Sequence, residues 1–168
     1  MFVEMTVAGI TMDPFSNSPI VILKDPDSNN ALPIWIGILE ASAIATELGE
    51  VKPPRPMTHD LMKSIIENID AAVTRIEVTD LKDNTFFAMI HLSLAKKTFT
   101  IDARPSDAIA LALRMNSPIF VSEKVIEKSQ TINLEKEGQG TTEGTDETKK
   151  WEEILENLSP EDFGKYKM

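Results

Sequence analysis

Over the first forty residues short apolar runs alternate with polar breaks: Phe2, Val3, Met5 and Val7, then Pro19 to Leu23, then Leu32 to Ile36. Alternation of this kind marks strands half buried against a core, so three strands are expected here. The second and third are separated by Asp25-Pro26-Asp27-Ser28-Asn29-Asn30, a cluster of turn formers that reads as a hairpin tip. After Gly37 the period lengthens. Ala41, Ile44, Ala45 and Leu48 recur at helical spacing up to Gly49, predicting a helix over 38–48 with a small-residue contact face. Residues 50–57, EVKPPRPM, hold three prolines and form a stiff connector. Thr58 then suits an N-cap. Leu61, Met62, Ile65, Ile66 and Ile69 mark an amphipathic helix whose first turn carries Asp60, where negative charge complements the helix dipole.

Two further strand-like stretches, 72–81 and 85–94, are joined through Lys82-Asp83-Asn84, and 98–101 follows after Lys96-Lys97, a three-stranded meander. Within 85–94, Phe86, Ala88, Ile90, Leu92 and Leu94 share one face and Phe87, Met89, His91 and Ser93 the other. Pro105 suits a first helical position, and residues 108–113 are apolar all round, so a helix over 105–115 should be the most buried in the chain. Asn116-Ser117-Pro118 ends it and 119–121 reads as one more strand. The expected class is α+β: a mostly antiparallel sheet, made of an N-terminal hairpin region and the meander, packed with about three helices.

Beyond this domain, residues 1–128, the pattern changes. Residues 129–150 lose their apolar period and read as a flexible acidic linker, and in 151–168 Trp151, Ile154, Leu155 and Leu158 form the stripe of a short helical arm. Such an arm needs a groove to dock in, on the same chain or a neighbour, which predicts a homo-oligomer, most simply a dimer.

Composition narrows the chemistry. The 168 residues suffice for one core, no apolar run approaches membrane-spanning length, and the N-terminus lacks the features of a secretory signal, so a cytoplasmic protein without a membrane partner is expected. Without cysteine, thiol catalysis and thiolate metal sites are excluded. The net charge of −10 argues against a broad basic surface. Ten of the 27 acidic side chains lie beyond residue 128, in less than a third of the length. Nucleic-acid chemistry would therefore rest on a local cationic pocket or on a metal ion.

Only four arginines are present, and Arg55 and Arg104 each precede a proline. The windows Arg55-Pro56-Met57-Thr58-His59-Asp60 and Asp102-Ala103-Arg104-Pro105-Ser106-Asp107 each set a guanidinium, a hydroxyl and a carboxylate at a helix start, a combination able to bind an anion. The plain alternative is structural. Asp60 and Asp107 would complement helix dipoles, Thr58 and Ser106 would cap, and each arginine would pair with a nearby carboxylate, Glu40 and Asp102 included. His59, beside a carboxylate and near an arginine, suits general acid or base work; His91 reads as an ordinary strand residue. Glu40, Asp60, Asp102 and Asp107 are hard oxygen ligands that suit magnesium or manganese. No Walker lysine, zinc spacing or nucleophile elbow is visible.

These windows carry a resemblance. Leu32-Pro33-Ile34 with Ile36-Gly37 and Glu40-Ala41, then Arg55-Pro56 with Thr58-His59-Asp60-Leu61, then the run Asp102 to Ala112, resemble the bifunctional nuclease domain family over residues 1–128. The closing segment Leu155 to Phe163 looks like the tail of its bacterial members. The resemblance implies a compact α+β domain, often self-associating, and cleavage of both RNA and DNA as described for plant members.

The expected function is therefore a metal-assisted nuclease of low sequence preference. Arg55, Arg104 and Ser106 would hold the phosphate, Glu40, Asp60, Asp102 and Asp107 a metal or water, and His59, with the aspartates, would carry the catalysis. A non-catalytic oligomeric module for a small anionic ligand or protein partner is the alternative.

Overall fold

The computed structural model describes residues 1–28 and 30–129, together with the backbone of 132 and 133. The element order is β1 (Phe2–Met12), β2 (Pro19–Lys24), β3 (Asn30–Trp35), α1 (Ile38–Leu48), α2 (Thr58–Asn68), β4 (Ala71–Lys82), β5 (Thr85–Leu94), β6 (Lys97–Ala103), α3 (Pro105–Met115), β7 (Ile119–Ser122), α4 (Glu123–Lys128) and the short β8 (Ile132–Asn133). The strands form one sheet in the order β6-β5-β4-β7-β1-β2-β3-β8, antiparallel except where β4 meets β7. The class is α+β, as the pattern of the chain predicts. A fourth helix, α4, adds to the three expected; of the expected linker only Ser129 and the backbone of β8, which pairs with β3, are described, and the rest of the linker and the arm lie outside the described residues.

Local chemistry closes the hairpins. Asp13 accepts hydrogen bonds from the Phe15 amide and the Ser16 hydroxyl, and Asp25 does the same for Asp27 and Ser28, so an Asp-Pro-x-Ser turn shapes both the β1–β2 and the β2–β3 link. Asp13 also accepts from the Trp35 indole at 3.0 Å, which ties the first turn to the end of β3. Between β4 and β5, Asp83 and Asn84 both take positive φ, 48° and 58°, the backbone a two-residue hairpin needs to follow the strand twist.

β1 carries the sheet across its middle. Its first residues pair with β7 and its later ones with β2, with a register shift between Val7 and Gly9. The core gathers on one side of the sheet from Met5, Val21, Leu23, Ile76, Val78, Ala88 and Ile90, closed by Ile44 of α1 and by α3. In α3 eight of eleven residues are buried, as its sequence predicts, and Ala108 to Ala112 are at most 1% exposed.

Two helices pack differently from their patterns. In α1 only Ala41 and Ile44 are buried; Ala45 and Leu48 are exposed, so the small-residue face is narrower than expected. In α2 the residue before the helix, Met57, takes the N-cap position in place of Thr58, and its amide is satisfied by the Asp60 carboxylate at 2.9 Å. Moreover, α2 turns His59, Met62 and Ile66 toward the core and leaves Leu61, Ile65 and Ile69 each 53% exposed. A five-residue apolar set wider than one helix face cannot all be buried against a single neighbour, and His59 takes part of the inner stripe.

Candidate functional site

Three helix starts meet at one corner of the domain. Glu40 lies in the first turn of α1, His59 at the start of α2, and Arg104 and Asp107 at the N-cap and first turn of α3. Pro105 at the first helical position sets this local shape, because the residue before a proline is held extended; Arg104 has φ −70° and ψ 144°. The first-turn Asp107 then reaches back three residues, and its Oδ2 accepts from Arg104 Nε at 2.8 Å. Arg104 Nη1 meets Glu40 Oε1 at 2.8 Å, and Asp107 Oδ1 meets His59 Nε2 at 3.0 Å. The chain Glu40–Arg104–Asp107–His59 is continuous across elements drawn from three parts of the sequence.

Exposure grades along that chain. The His59 side chain is 10% exposed and Glu40 17%, Asp107 is intermediate at 27%, and Arg104 is 54% exposed. Burial pushes the Asp107 carboxyl up, but hydrogen bonds from Arg104 and His59 outweigh it and hold Asp107 below its ordinary 3.8. The Asp107 contact raises Arg104 further still. An ionised Asp107 can only accept, so His59 Nε2 is the donor in this contact.

The remaining expected residues are placed elsewhere. Asp60 turns to Arg114, whose Nε donates to Asp60 Oδ1 at 2.7 Å and whose Nη1 donates to the Ala110 carbonyl at 3.0 Å. The Arg114 hydrogen bond, then the Met57 amide, lower the Asp60 carboxyl. Arg55 is exposed on the connector and Asp102 on β6, and neither side chain has a hydrogen bond or ion pair among the described residues. Thus the two sequence windows do meet, but through His59 and Asp107 rather than through their arginines. Ser106 is 2% exposed, packed in the first turn of α3.

Arg114 is the residue that sequence reasoning passed over. Its signal was present: the one cation of a largely apolar, buried helix, itself 4% exposed, needs a partner, and Asp60 is that partner. His91 is likewise more than an ordinary strand residue. On the sheet face opposite the core, Glu77 accepts from Arg75 Nε at 2.6 Å and lies 2.9 Å from His91 Nε2. Burial raises Glu77, and His91 and Arg75 together bring it below its ordinary 4.5. Nearby, Lys82, Lys124 and Lys128 converge on Asp80 and fasten α4 to the sheet.

Among the described residues no three His, Asp or Glu side chains gather to hold a metal. Glu40 and Asp107, which share Arg104, make a two-carboxylate corner. That matches the mode in which magnesium is completed by a substrate phosphate, and not a cage built by protein alone.

At this corner of converging helix starts, a half-exposed guanidinium stands beside an Asp–His pair, groups that by their chemistry can meet an anion and pass a proton. Comparison with known proteins is more specific. The model of the bifunctional nuclease domain matches residues 21–133, and the chain belongs to that family. An uncharacterized protein of Mycobacterium tuberculosis is 36% identical over 162 residues, 95% of this chain and 97% of its own length. Bifunctional nuclease 1 of Oryza sativa subsp. japonica is 25% identical over 116 residues and Bifunctional nuclease 1 of Arabidopsis thaliana 27% over 113, in each case across 35% of the plant protein. No described helix is long and apolar enough to cross a membrane.

Proposed function

We propose that this protein is a nuclease that hydrolyses phosphodiester bonds of RNA and DNA with little sequence preference, assisted by a divalent metal and working as a homo-oligomer in the cytoplasm. The observation that carries the reading is the hydrogen-bonded chain Glu40–Arg104–Asp107–His59, in which an exposed cation stands beside an oriented imidazole. The name borne by the plant relatives supports the same activity.

Each residue then has a physical task. Arg104, with its side chain half exposed, presents a rigid fork of donors to the phosphate oxygens. Asp107 holds Arg104 with one oxygen and the imidazole with the other, so both approach a bound phosphate in a fixed relation. His59, with Nε2–H committed to Asp107, takes a proton from the attacking water at Nδ1, and the imidazolium is stabilised by the ionised Asp107. Magnesium or manganese, held by Glu40 and Asp107 together with the substrate, would supply charge neutralisation at the phosphate. Arg55, exposed and without an ion pair among the described residues, is free to meet the backbone of a longer strand.

Cleavage of fluorescent single-stranded RNA and DNA, followed with magnesium, with manganese and with chelator, tests this for the wild type, Arg104→Ala and His59→Ala. Loss of cleavage in both variants is expected. Equal rates in all three proteins would remove the assignment, and rates unchanged by chelator would remove the metal.

A second reading has its own support. Net charge −10 opposes tracking of a long polyanionic strand, which leaves room for a module that holds a small anionic ligand at Arg104, half exposed, without turnover. Calorimetric binding of a short phosphorylated ligand, with no cleavage in any metal, would favour it.

A further inference from the structure

We propose that the C-terminal segment of this same chain, through Trp151, Ile154, Leu155 and Leu158, packs on the outer face of β2 and β3 and covers Ile22 and Pro33.

The first ground is burial on the side of the sheet away from the core. Val21 and Leu23 of β2 and Leu32 and Ile34 of β3 belong to the core. Strand alternation turns Ile20 and Ile22, with their β3 partners Trp35 and Pro33, to the opposite face. The four described helices do not reach that face: Ile44, Met62, Ile66, Ile109 and Val125 place α1 to α4 on the core side. Elsewhere on the outer face large apolar residues stay open, Phe2 at 46% and Phe87 at 40% exposed. Ile22 is nevertheless 1% exposed, and Pro33 is buried.

Neighbours within the sheet do not account for this. On the β1 side Ile22 faces Gly9, which has no side chain to lend. Trp35 can shield Ile20, but its indole is drawn away from Ile22, to Asp13 just past the end of β1. An isoleucine hidden in the middle of a sheet face needs atoms stacked over it. The burial is complete within one copy, so the cover is part of this chain and not of a neighbour.

The second ground says which part. β8 pairs with β3 at Asn30 and Ala31, so the chain passes Asn133 at the rim of this face. Residues 135–150 hold no apolar side chain, and the next apolar positions, Trp151, Ile154, Leu155 and Leu158, are spaced as one helical face. These lie outside the described residues, and theirs is the first apolar stripe the sequence offers after the rim. Residues 134–150 can span at most about 60 Å, roughly three times the length of β3, so the reach is ample. A short helix is unstable alone, but a tether gives it an effective concentration on the order of millimolar at the face. Docking within one chain leaves association between copies to other surfaces, and it does not rest on the nuclease reading.

Thiol labelling of the full chain tests the docking, since the protein has no cysteine of its own. Ile22→Cys and Leu23→Cys change adjacent residues of β2, the first under the cover and the second in the core. Both are expected to react with a soluble disulfide reagent about 100-fold or more slowly than the same chains in denaturant. Adding Trp151→Ser with Leu155→Ser should speed labelling at position 22 about tenfold or more and leave position 23 slow. Trp151→Ala alone should give part of that acceleration, and it is read in place of the double change if circular dichroism shows the latter unfolded. The rates should be the same at nanomolar and micromolar protein. Fast labelling at position 22 with the C-terminal segment unaltered, or no response to the changes in that segment, would overturn the proposal. So would equal acceleration at both positions, which reports loss of the fold, and protection lost on dilution, which assigns the cover to a second copy.

Discussion

His59 and Asp107 stand 48 positions apart in the chain, yet His59 Nε2 lies 3.0 Å from Asp107 Oδ1, and this contact joins the start of α2 to the start of α3. Asp107 uses its other oxygen on Arg104, so one carboxylate orients both the imidazole and the guanidinium.

Asp107→Asn preserves the size of the side chain but removes the charge that fixes the imidazole. Under the nuclease reading, cleavage should fall by about 10² or more while the fold is retained, since positioned acid–base catalysis contributes on that order. Single-turnover cleavage rates and a melting curve measured side by side check it.

The Arg114–Asp60 pair fastens α2 against α3 one residue from His59. Arg114→Ala takes the guanidinium from Asp60 Oδ1 and from the Ala110 carbonyl, leaving Asp60 only the Met57 amide, and should cost about 3 kcal/mol of stability. Arg114→Lys should recover little, because the two acceptors are met by separate guanidinium nitrogens, Nε and Nη1, and a single ammonium nitrogen does not reproduce that fork. Chemical denaturation of the three proteins decides between these outcomes.

Acid should loosen the domain in a defined window. Asp60, Asp107 and Glu77 all titrate lower when folded than their ordinary 3.8, 3.8 and 4.5. Their contribution is complete above those ordinary values and is lost as pH falls through the lower folded ones. The melting temperature should hold nearly level from pH 7 to about 5 and drop below pH 4.5, with Glu77→Gln flattening the upper part of the fall. Calorimetry across pH 2 to 7 measures this; a midpoint that rises on acidification would contradict it.

Asp80 gathers Lys82, Lys124 and Lys128, and two of these lysines belong to α4. Asp80→Ala should speed amide exchange in α4 while leaving α3, held by its buried apolar face, unchanged. Hydrogen exchange resolved by peptide mass separates the two helices.

Ile109 is fully buried in α3. Its replacement by alanine should cost about 2 to 5 kcal/mol, the range for emptying such a core position. A cost below 1 kcal/mol in urea denaturation would show that α3 is not the centre of the core.

Much of this architecture is written in local pattern. Alternation between apolar and polar residues marks the strands, the Asp-Asn pair at 83 and 84 closes its hairpin, and Pro105 with the apolar run behind it marks α3 as the buried helix. Each of these signals acts between residues a few positions apart, where backbone sterics and side-chain period decide the outcome. The two arginine windows are legible in the same way, as helix starts rich in charge.

Partnership was decided in three dimensions. Both Asp60 and Asp107 sit in first helical turns, and nothing nearby in the chain says that one answers to Arg114 and the other to Arg104 and His59. Nor does periodicity tell that α2 hides Met62 and Ile66 but exposes Leu61 and Ile65, since every one of them fits an amphipathic stripe. Coulomb attraction and burial act between whatever the fold brings within a few ångströms, so the amino-acid order determines which helices and strands form, and the crossing of α1, α2 and α3 over the sheet determines which charges meet.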